Sequence, residues 1–202
     1  MMSVDAKQKV RLEYVGTVTD ATSDVAQAIR NIMIQCDDDF VPPLSVREDA
    51  TKDMGSQAFH ERDIEPYFQI VLSQKNIVAY YEGKIVAFMS FRCNEPHDCF
   101  SPFAKADDSI NYVSTICVLD SYRGCRITSG FYDIMETVGR LPADVSGTCV
   151  ATRTWDANVS HIGLIKKRGY ILTKTVEGDR KWNEEVFDTV YYCKSLSKSN
   201  IT

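Results

Sequence analysis

Arg123, Gly124 and Arg126 stand between two apolar patterns, and residues of those types at a strand-to-helix turn could hold an anion. Before them Val113, Ile116, Cys117 and Val118 form a mostly β-branched run that predicts a strand. After them Ile127, Phe131, Ile134 and Val138 recur at helical spacing. Asp120 to Gly124 supplies polar turn chemistry between the two. A helix that begins directly off a buried strand presents its first, unpaired N–H groups and the positive end of its dipole, so phosphate oxygens are the expected guest. The plainer alternative is a turn whose arginines are merely exposed. Further along, Asn158 opens a second short helical pattern, where an asparagine caps the helix whatever else it does. His161 follows within a turn of it and titrates in a range useful for proton transfer, although a lone histidine on a short helix is more often a packing or surface residue.

The hexapeptide Arg123-Gly124-Cys125-Arg126-Ile127-Thr128 resembles the acyl-CoA-binding signature of the GNAT N-acetyltransferase superfamily, Arg/Gln-x-x-Gly-x-Gly/Ala at a strand-to-helix junction. Tyr122 precedes it, as a tyrosine often does in that family. Arg126 stands where the family has its first motif glycine and Thr128 where it has Gly or Ala. A second stretch, Thr154-Trp155-Asp156-Ala157-Asn158, then His161, then Lys167-Arg168-Gly169-Tyr170, is similar to the family's closing segment, in which an Asn starts a helix that ends in Lys-x-Gly-Phe/Tyr. The two stretches come in the family's order, about 30 residues apart, and together carry more weight than either alone. The resemblance covers roughly Ile77 to Leu196.

The resemblance implies transfer of an acetyl group from acetyl-CoA to a primary amine within a ternary complex. A small-molecule amine is the first reading. A protein or peptide amine, a non-catalytic acyl-CoA-binding module and an accidental likeness are the alternatives. By position, the resemblance assigns Ile116, Cys117 and Val118 to the pantetheine arm, with a backbone N–H near Val118 polarising the thioester carbonyl. The N–H groups of Gly124, Cys125, Arg126, Ile127, Thr128 and Ser129 would take the phosphates, the Arg123 and Arg126 side chains adding charge. Asn158 would hold the cofactor near its sulfur. Many relatives place a Tyr seven residues after that Asn to protonate the leaving thiolate; this chain has Ile165 there, which leaves His161 as the nearest substitute. Tyr112 and Ser114 are candidates to position a water for deprotonating the amine. On the acceptor side, Asp37, Asp38, Asp39 and Phe40 would suit a cationic amine, against the plainer reading of a solvated acidic helix end.

The elements that must position these residues are legible in outline. A strand is expected from Val10 to Tyr14, a helix from the spacing of Val25, Ile29, Ile32 and Met33 behind Thr22 or Ser23, and an irregular loop over Asp37 to Ser45, where two prolines exclude helix. Ile64, Phe68, Val71 and Leu72 mark a second helix, capped by Asp63 and with Pro66 in its first turn. Ile77 to Tyr81 and Lys84 to Phe91 flank Glu82-Gly83 as a hairpin. Arg92 to Asp108 is a long connection read as a flap, with Phe100 and Phe103 placed to cover an acceptor pocket or to pack on their own domain. Thr148 to Thr152, Tyr170 to Val176 and Phe187 to Cys193 complete the strands, with a turn expected at Glu177-Gly178-Asp179. With the resemblance, this predicts an α/β fold over 1–202: a single GNAT-like domain with a mixed, mostly antiparallel sheet of about seven strands and about four flanking helices.

Composition narrows the partners. The 202 residues, 44% hydrophobic and 25% charged, are enough for one well-buried domain. A net charge of −5 without a basic run argues against nucleic acid or an anionic membrane surface. No apolar run is long enough to span a bilayer and no signal-like start is present, so a cytoplasmic protein is expected. Seven scattered cysteines suit reduced core thiols. Cys93, His97, Asp98 and Cys99 fit none of the usual zinc spacings, and no metal is expected.

Overall fold

A computed structural model of the chain describes residues 10–47, 61–96, 98–101 and 103–196. In chain order the elements are β1 (Val10–Gly16), α1 (Asp24–Gln35), α2 (Glu65–Ser73), β2 (Lys75–Tyr81), β3 (Lys84–Arg92), β4 (Ile110–Val118), α3 (Ile127–Glu136), β5 (Cys149–Trp155), α4 (Val159–Lys167), β6 (Ile171–Trp182) and β7 (Glu185–Ser195). The seven strands form one sheet in the order β1-β2-β3-β4-β5-β7-β6. Every neighbouring pair is antiparallel except β4 with β5. The architecture is the α/β arrangement that the element pattern predicts, with four α-helices around a mixed, mostly antiparallel sheet.

The period-two alternation of the strands sends residues to the two faces of the sheet, where they form three buried clusters. On one face Phe131 and Tyr132 of α3 and Ile165 of α4 pack with Met89, Val113 and Val150 of the sheet. On the other, Ile29 and Met33 of α1 and Phe68 and Val71 of α2 pack on Phe88 and Cys117. Ser23 Oγ caps α1 by accepting from Ala26 N–H at 3.3 Å, whereas the N-cap of α2 is Ile64, not the expected Asp63, and has no side-chain cap; Asp63 Oδ1, just before it, accepts from Glu65 N–H at 3.0 Å. The expected loop after α1 carries two single 3-10 turns, Asp37–Asp39 and Leu44–Val46.

Three expectations are corrected. The turn of the last hairpin is Asn183-Glu184, both with positive φ (51° and 68°), whereas Glu177-Gly178-Asp179 lies within β6 as a bulge between Val176 and Arg180. Asp188 Oδ1 holds that bulge by accepting from Gly178 N–H at 2.9 Å. Helix α3 stops at Glu136, and Val138 is left 81% exposed because no element covers it. Phe100 does not roof a pocket: it is buried on the sheet against Tyr112 and Tyr191, ring centroids 5.9 and 6.2 Å away, while Phe103 is exposed. The seven cysteines are all free thiols. His97 lies outside the described residues, and no cluster of metal-ligating side chains occurs among those described. No helix of the described residues is long and apolar enough to cross a membrane.

Candidate functional site

The parallel strands β4 and β5 pair over four residues only, from Ile110 opposite Cys149 to Val113 opposite Thr152. A register shift at Ser114 follows on the β3 side of β4, and from there the two strands diverge. The gap opens into a cavity of about 820 Å³, lined by β4 from Val113 to Val118, the turn from Tyr122 to Ser129, the end of β5 and the start of α4. Which backbone groups face that gap follows from the ladder. Leu119 N–H donates to Val86 O on β3 at 3.1 Å, so by antiparallel alternation Cys117 also turns its N–H and C=O toward β3, while Ile116 and Val118 turn theirs to the opposite edge. Ile116 therefore presents its main-chain groups along the cleft and Val118 its N–H, the Val118 carbonyl already accepting from Cys36 Sγ at 3.7 Å, and an extended ligand lying like an added strand uses such groups. Cys117, expected to share this task, does not: its backbone pairs with β3 and its thiol lies in the α1–α2 core.

The strand-to-helix turn is built much as its sequence implies. A single 3-10 turn over Asp120–Tyr122 follows β4, Gly124 takes φ +76° and Arg126 takes φ 63°, ψ 18° as the N-cap of α3. Arg126 thus adopts the left-handed backbone that glycine adopts at low cost, and its side chain is exposed at the rim of the cleft. Gly130 N–H donates to Arg126 O at 2.9 Å as the first helical bond, which leaves the N–H groups of Ile127, Thr128 and Ser129 at the open end of the helix. Cys125 is the exception: it is buried, and its N–H donates to Tyr122 O at 3.4 Å. The Arg123 side chain also departs from its expected task. Its guanidinium pairs with Asp39 and with Asp120, and its Nε donates to Val118 O at 3.2 Å, so it ties the turn to β4 rather than facing the helix end.

Asn158 caps α4, its Oδ1 accepting from His161 N–H at 3.3 Å while its Nδ2 donates to Thr154 Oγ1 at 3.0 Å. The side chain is fixed at the cleft wall by both ends. His161 lines the same wall, with Nε2 2.9 Å from the hydroxyl of Tyr132, a residue that no sequence pattern singled out. Burial pushes His161 down to about 4. The expectation that it titrates usefully is therefore corrected: near neutral pH the imidazole is uncharged and can only share a hydrogen bond. Ile165, at the place of the relatives' tyrosine, is fully buried in the core. The two candidates for a base are also occupied. Tyr112 is buried against Phe100, and its burial raises its pKa; Ser114 Oγ donates to Gln74 Oε1 and is 3.2 Å from Ser90 O.

Across the sheet, on the α1–α2 side, the cleft ends among groups that sequence reasoning missed. They are Arg47, Arg153 and Arg180, with Tyr67 and Trp155; Phe40, expected on the acceptor side, lines the same end. Tyr67 shares a 3.0 Å hydrogen bond with Thr115 Oγ1 on β4. No spacing relates these residues, because they arrive from a loop, α2, β5 and β6 separately. The acidic triplet expected here is turned to other work: Asp37 accepts from Ser45 N–H at 2.8 Å and pairs with Arg62, Asp38 pairs with Arg62 and Asp39 with Arg123.

One parallel pair inside an otherwise antiparallel sheet, splayed beyond four residues over a helix N-terminus, is the GNAT acetyltransferase fold, and the chain has that fold. It is similar to the crystal structure of an N-acetyltransferase from Staphylococcus aureus Mu50, with 13% identity over 93% of this chain and 99% of that one and a TM-score of 0.61. Arabidopsis thaliana NAA60 in complex with acetyl-CoA is 15% identical over 93% of this chain and 98% of that one, with a TM-score of 0.60. The ribosomal-protein-S18-alanine N-acetyltransferase from Escherichia coli is 12% identical over 96% and 97%, with a TM-score of 0.59. At such identities the likeness establishes the fold. No protein-family model matches the chain, and no curated protein matches it in sequence.

Proposed function

We propose that the protein is an acetyl-CoA-dependent N-acetyltransferase acting on a small primary amine, with residues 1–202 as one catalytic domain. The observation that carries this reading is the opening between β4 and β5, which joins the main-chain edge of Ile116 and Val118 to the N-terminus of α3 in one continuous cavity. The edge suits a pantetheine arm and the helix end suits a pyrophosphate, with Arg126 adding charge at the rim. An acceptor end walled by Phe40, Tyr67 and Trp155 suits a small amine.

In the reaction the neutral amine nitrogen attacks the thioester carbonyl, forming a C–N bond and placing negative charge on the carbonyl oxygen. The N–H of Val118 at the cleft edge polarises that oxygen. The intermediate collapses with cleavage of the C–S bond, whose electron pair leaves on sulfur, and the proton lost by nitrogen ends on the thiolate or in solvent. Asn158 orients the sulfur end of the cofactor. His161, held neutral, contributes as a hydrogen-bond partner of the departing thiolate, with Tyr132 fixing its Nε2.

Calorimetric titration with acetyl-CoA, followed by release of free thiol across a panel of amines, tests the reading. Saturable binding and amine-dependent thiol release are expected. Binding without turnover of any amine would favour a non-catalytic acyl-CoA-binding module, and no binding would sink the cofactor assignment itself.

A further inference from the structure

The acceptor end of the cavity is strongly cationic at atoms withdrawn from water. Arg47 is 6% exposed and Arg180 3% exposed, and both line the cavity. Neutral oxygens hold them in place. Arg47 Nε donates to Pro42 O at 2.9 Å and the guanidinium lies 5.6 Å over the ring of Phe40. Arg180 Nε donates to Thr189 Oγ1 at 3.0 Å, one of its terminal nitrogens donates to Val41 O at 2.8 Å, and it lies 5.6 Å over Trp155. Arg153 on β5 completes the group, 3.3 Å from the hydroxyl of Tyr191. Neither Arg47 nor Arg180 forms an ion pair with another described residue; Asp179, beside Arg180, accepts from Thr189 at 2.6 Å.

Like charges gathered in one partly dry cavity are costly unless a counter-charge arrives. The cost is visible in two of the groups: burial, then repulsion from Arg47 and Arg153, pushes Arg180 down to about 9 although Asp179 offsets part of it, and burial pushes Arg47 below its ordinary range, whereas Arg153, despite its burial, is held above its own beside Tyr112 and Tyr191. A fold keeps such an arrangement when something uses it, and planar guanidiniums fixed by neutral acceptors are suited to gripping a carboxylate or a phosphoryl group through paired N–H bonds. A second ammonium would be repelled from this end, and the aspartates that would have welcomed it are already paired. Given the acetyltransferase reading on which it rests, we infer that the acceptor is a small amine that also carries an acidic group, held by Arg47 and Arg180 with Arg153 behind them.

The test is a series of ω-amino acids of increasing length, each compared with its carboxamide and with the matching aminoalkylphosphonate, using the full chain and acetyl-CoA. The acids or phosphonates should exceed the amides at least tenfold in kcat/KM, and which of the two series leads identifies the acidic group. Arg47→Gln and Arg180→Gln should lose that discrimination while calorimetric binding of acetyl-CoA persists; Arg180→Lys, which keeps a charge, should retain part of it. Amides turned over as fast as acids, or Gln variants that discriminate like the native chain, would overturn the inference. A second readout does not depend on turnover: the N-acetylated acids should perturb Trp155 fluorescence at concentrations at least tenfold lower than their amides, and more weakly as salt is added. Absence of acid-specific binding there also overturns it, whereas failure to bind acetyl-CoA strikes at the acetyltransferase reading and leaves this arm interpretable.

Discussion

The imidazole of His161 and the phenol of Tyr132 share one part-buried hydrogen bond at the cleft wall, and this setting predicts a pH dependence. His161 is held at about 4, against 6.5 for an ordinary histidine. Between those values the unfolded chain binds a proton that the folded chain refuses, so stability is present above pH 6.5 and is lost as pH falls toward 4, by roughly 3 kcal/mol over the full span. His161→Gln keeps a polar group but not the titration. Urea unfolding at pH 7 and pH 4.5 should show the native chain losing roughly 2 kcal/mol more than the variant; equal losses would place the histidine in a more solvated setting. Arg126 gives a second residue-scale prediction. Because it already holds a left-handed backbone, Arg126→Gly preserves the turn while removing the charged side chain. Acetyl-CoA should then bind about tenfold more weakly and with less salt dependence, as expected for the loss of one charged contact. A clear gain of affinity would mean that the side chain obstructs the phosphates, and would favour a degenerate module.

At the scale of elements, the last hairpin shows where sequence patterns stop informing. Glu177-Gly178-Asp179 has the composition of a turn, yet Asn183-Glu184 turns the chain, because the strands continue past the bulge and the two-residue connection closes them with the twist that a pair of positive φ angles provides. Glu184 occupies the second of those positions, where glycine costs less. Glu184→Gly should stabilise the protein by about 0.5 to 1 kcal/mol, read as a rise in the thermal midpoint; a fall would show that the side chain has a partner worth more than the strain. Helices α1 and α3 were legible because one face of each is buried, and β4 because a strand covered on both faces reads as a nearly continuous apolar run. Their ends were less so: α3 stops two residues before Val138 because a solvent-exposed valine cannot be told from a buried one by spacing. The local motifs from Arg123 to Ser129 and at Asn158 lie at the strand-to-helix turn and at the start of α4, the elements that their spacing predicts, with Cys125 buried and the Arg123 side chain tied to β4. Their individual tasks were not readable, since whether Cys117 or Cys125 offers a free N–H depends on ladder alternation and turn bonds that only coordinates reveal.

For the whole molecule, the arginines of the acceptor end were invisible in sequence for a topological reason: sheet order places β5 beside β7 and β7 beside β6, so residues more than 100 positions apart converge without any shared pattern. The same topology raises the question of what joins the two halves of a sheet whose central pair is only four residues long. Part of the answer lies away from the cleft, at Glu136. This last residue of α3, with a side chain 10% exposed, pairs with Arg168 after α4 at 2.8 Å and with Lys194 on β7 at 2.5 Å, and accepts from the Tyr170 hydroxyl at 3.2 Å. Arg168 also reaches back to Asp133 at 2.6 Å and to Ser129 Oγ at 3.0 Å, inside the turn read as the phosphate site. One carboxylate thus ties the β1–β4 half, through α3, to the β5–β7 half. Glu136→Ala leaves Lys194 without its carboxylate and Arg168 with only the exposed Asp133, and loss of one partner from such a network costs roughly 3 to 5 kcal/mol. Urea unfolding should show a loss of that order, larger than for Asp133→Ala, whose side chain is 65% exposed and whose pair is therefore screened. Because Arg168 loses its anchor near Ser129, acetyl-CoA should also bind Glu136→Ala more weakly at a temperature where the variant is still folded. If stability falls while affinity is unchanged, the network joins the two halves without shaping the site.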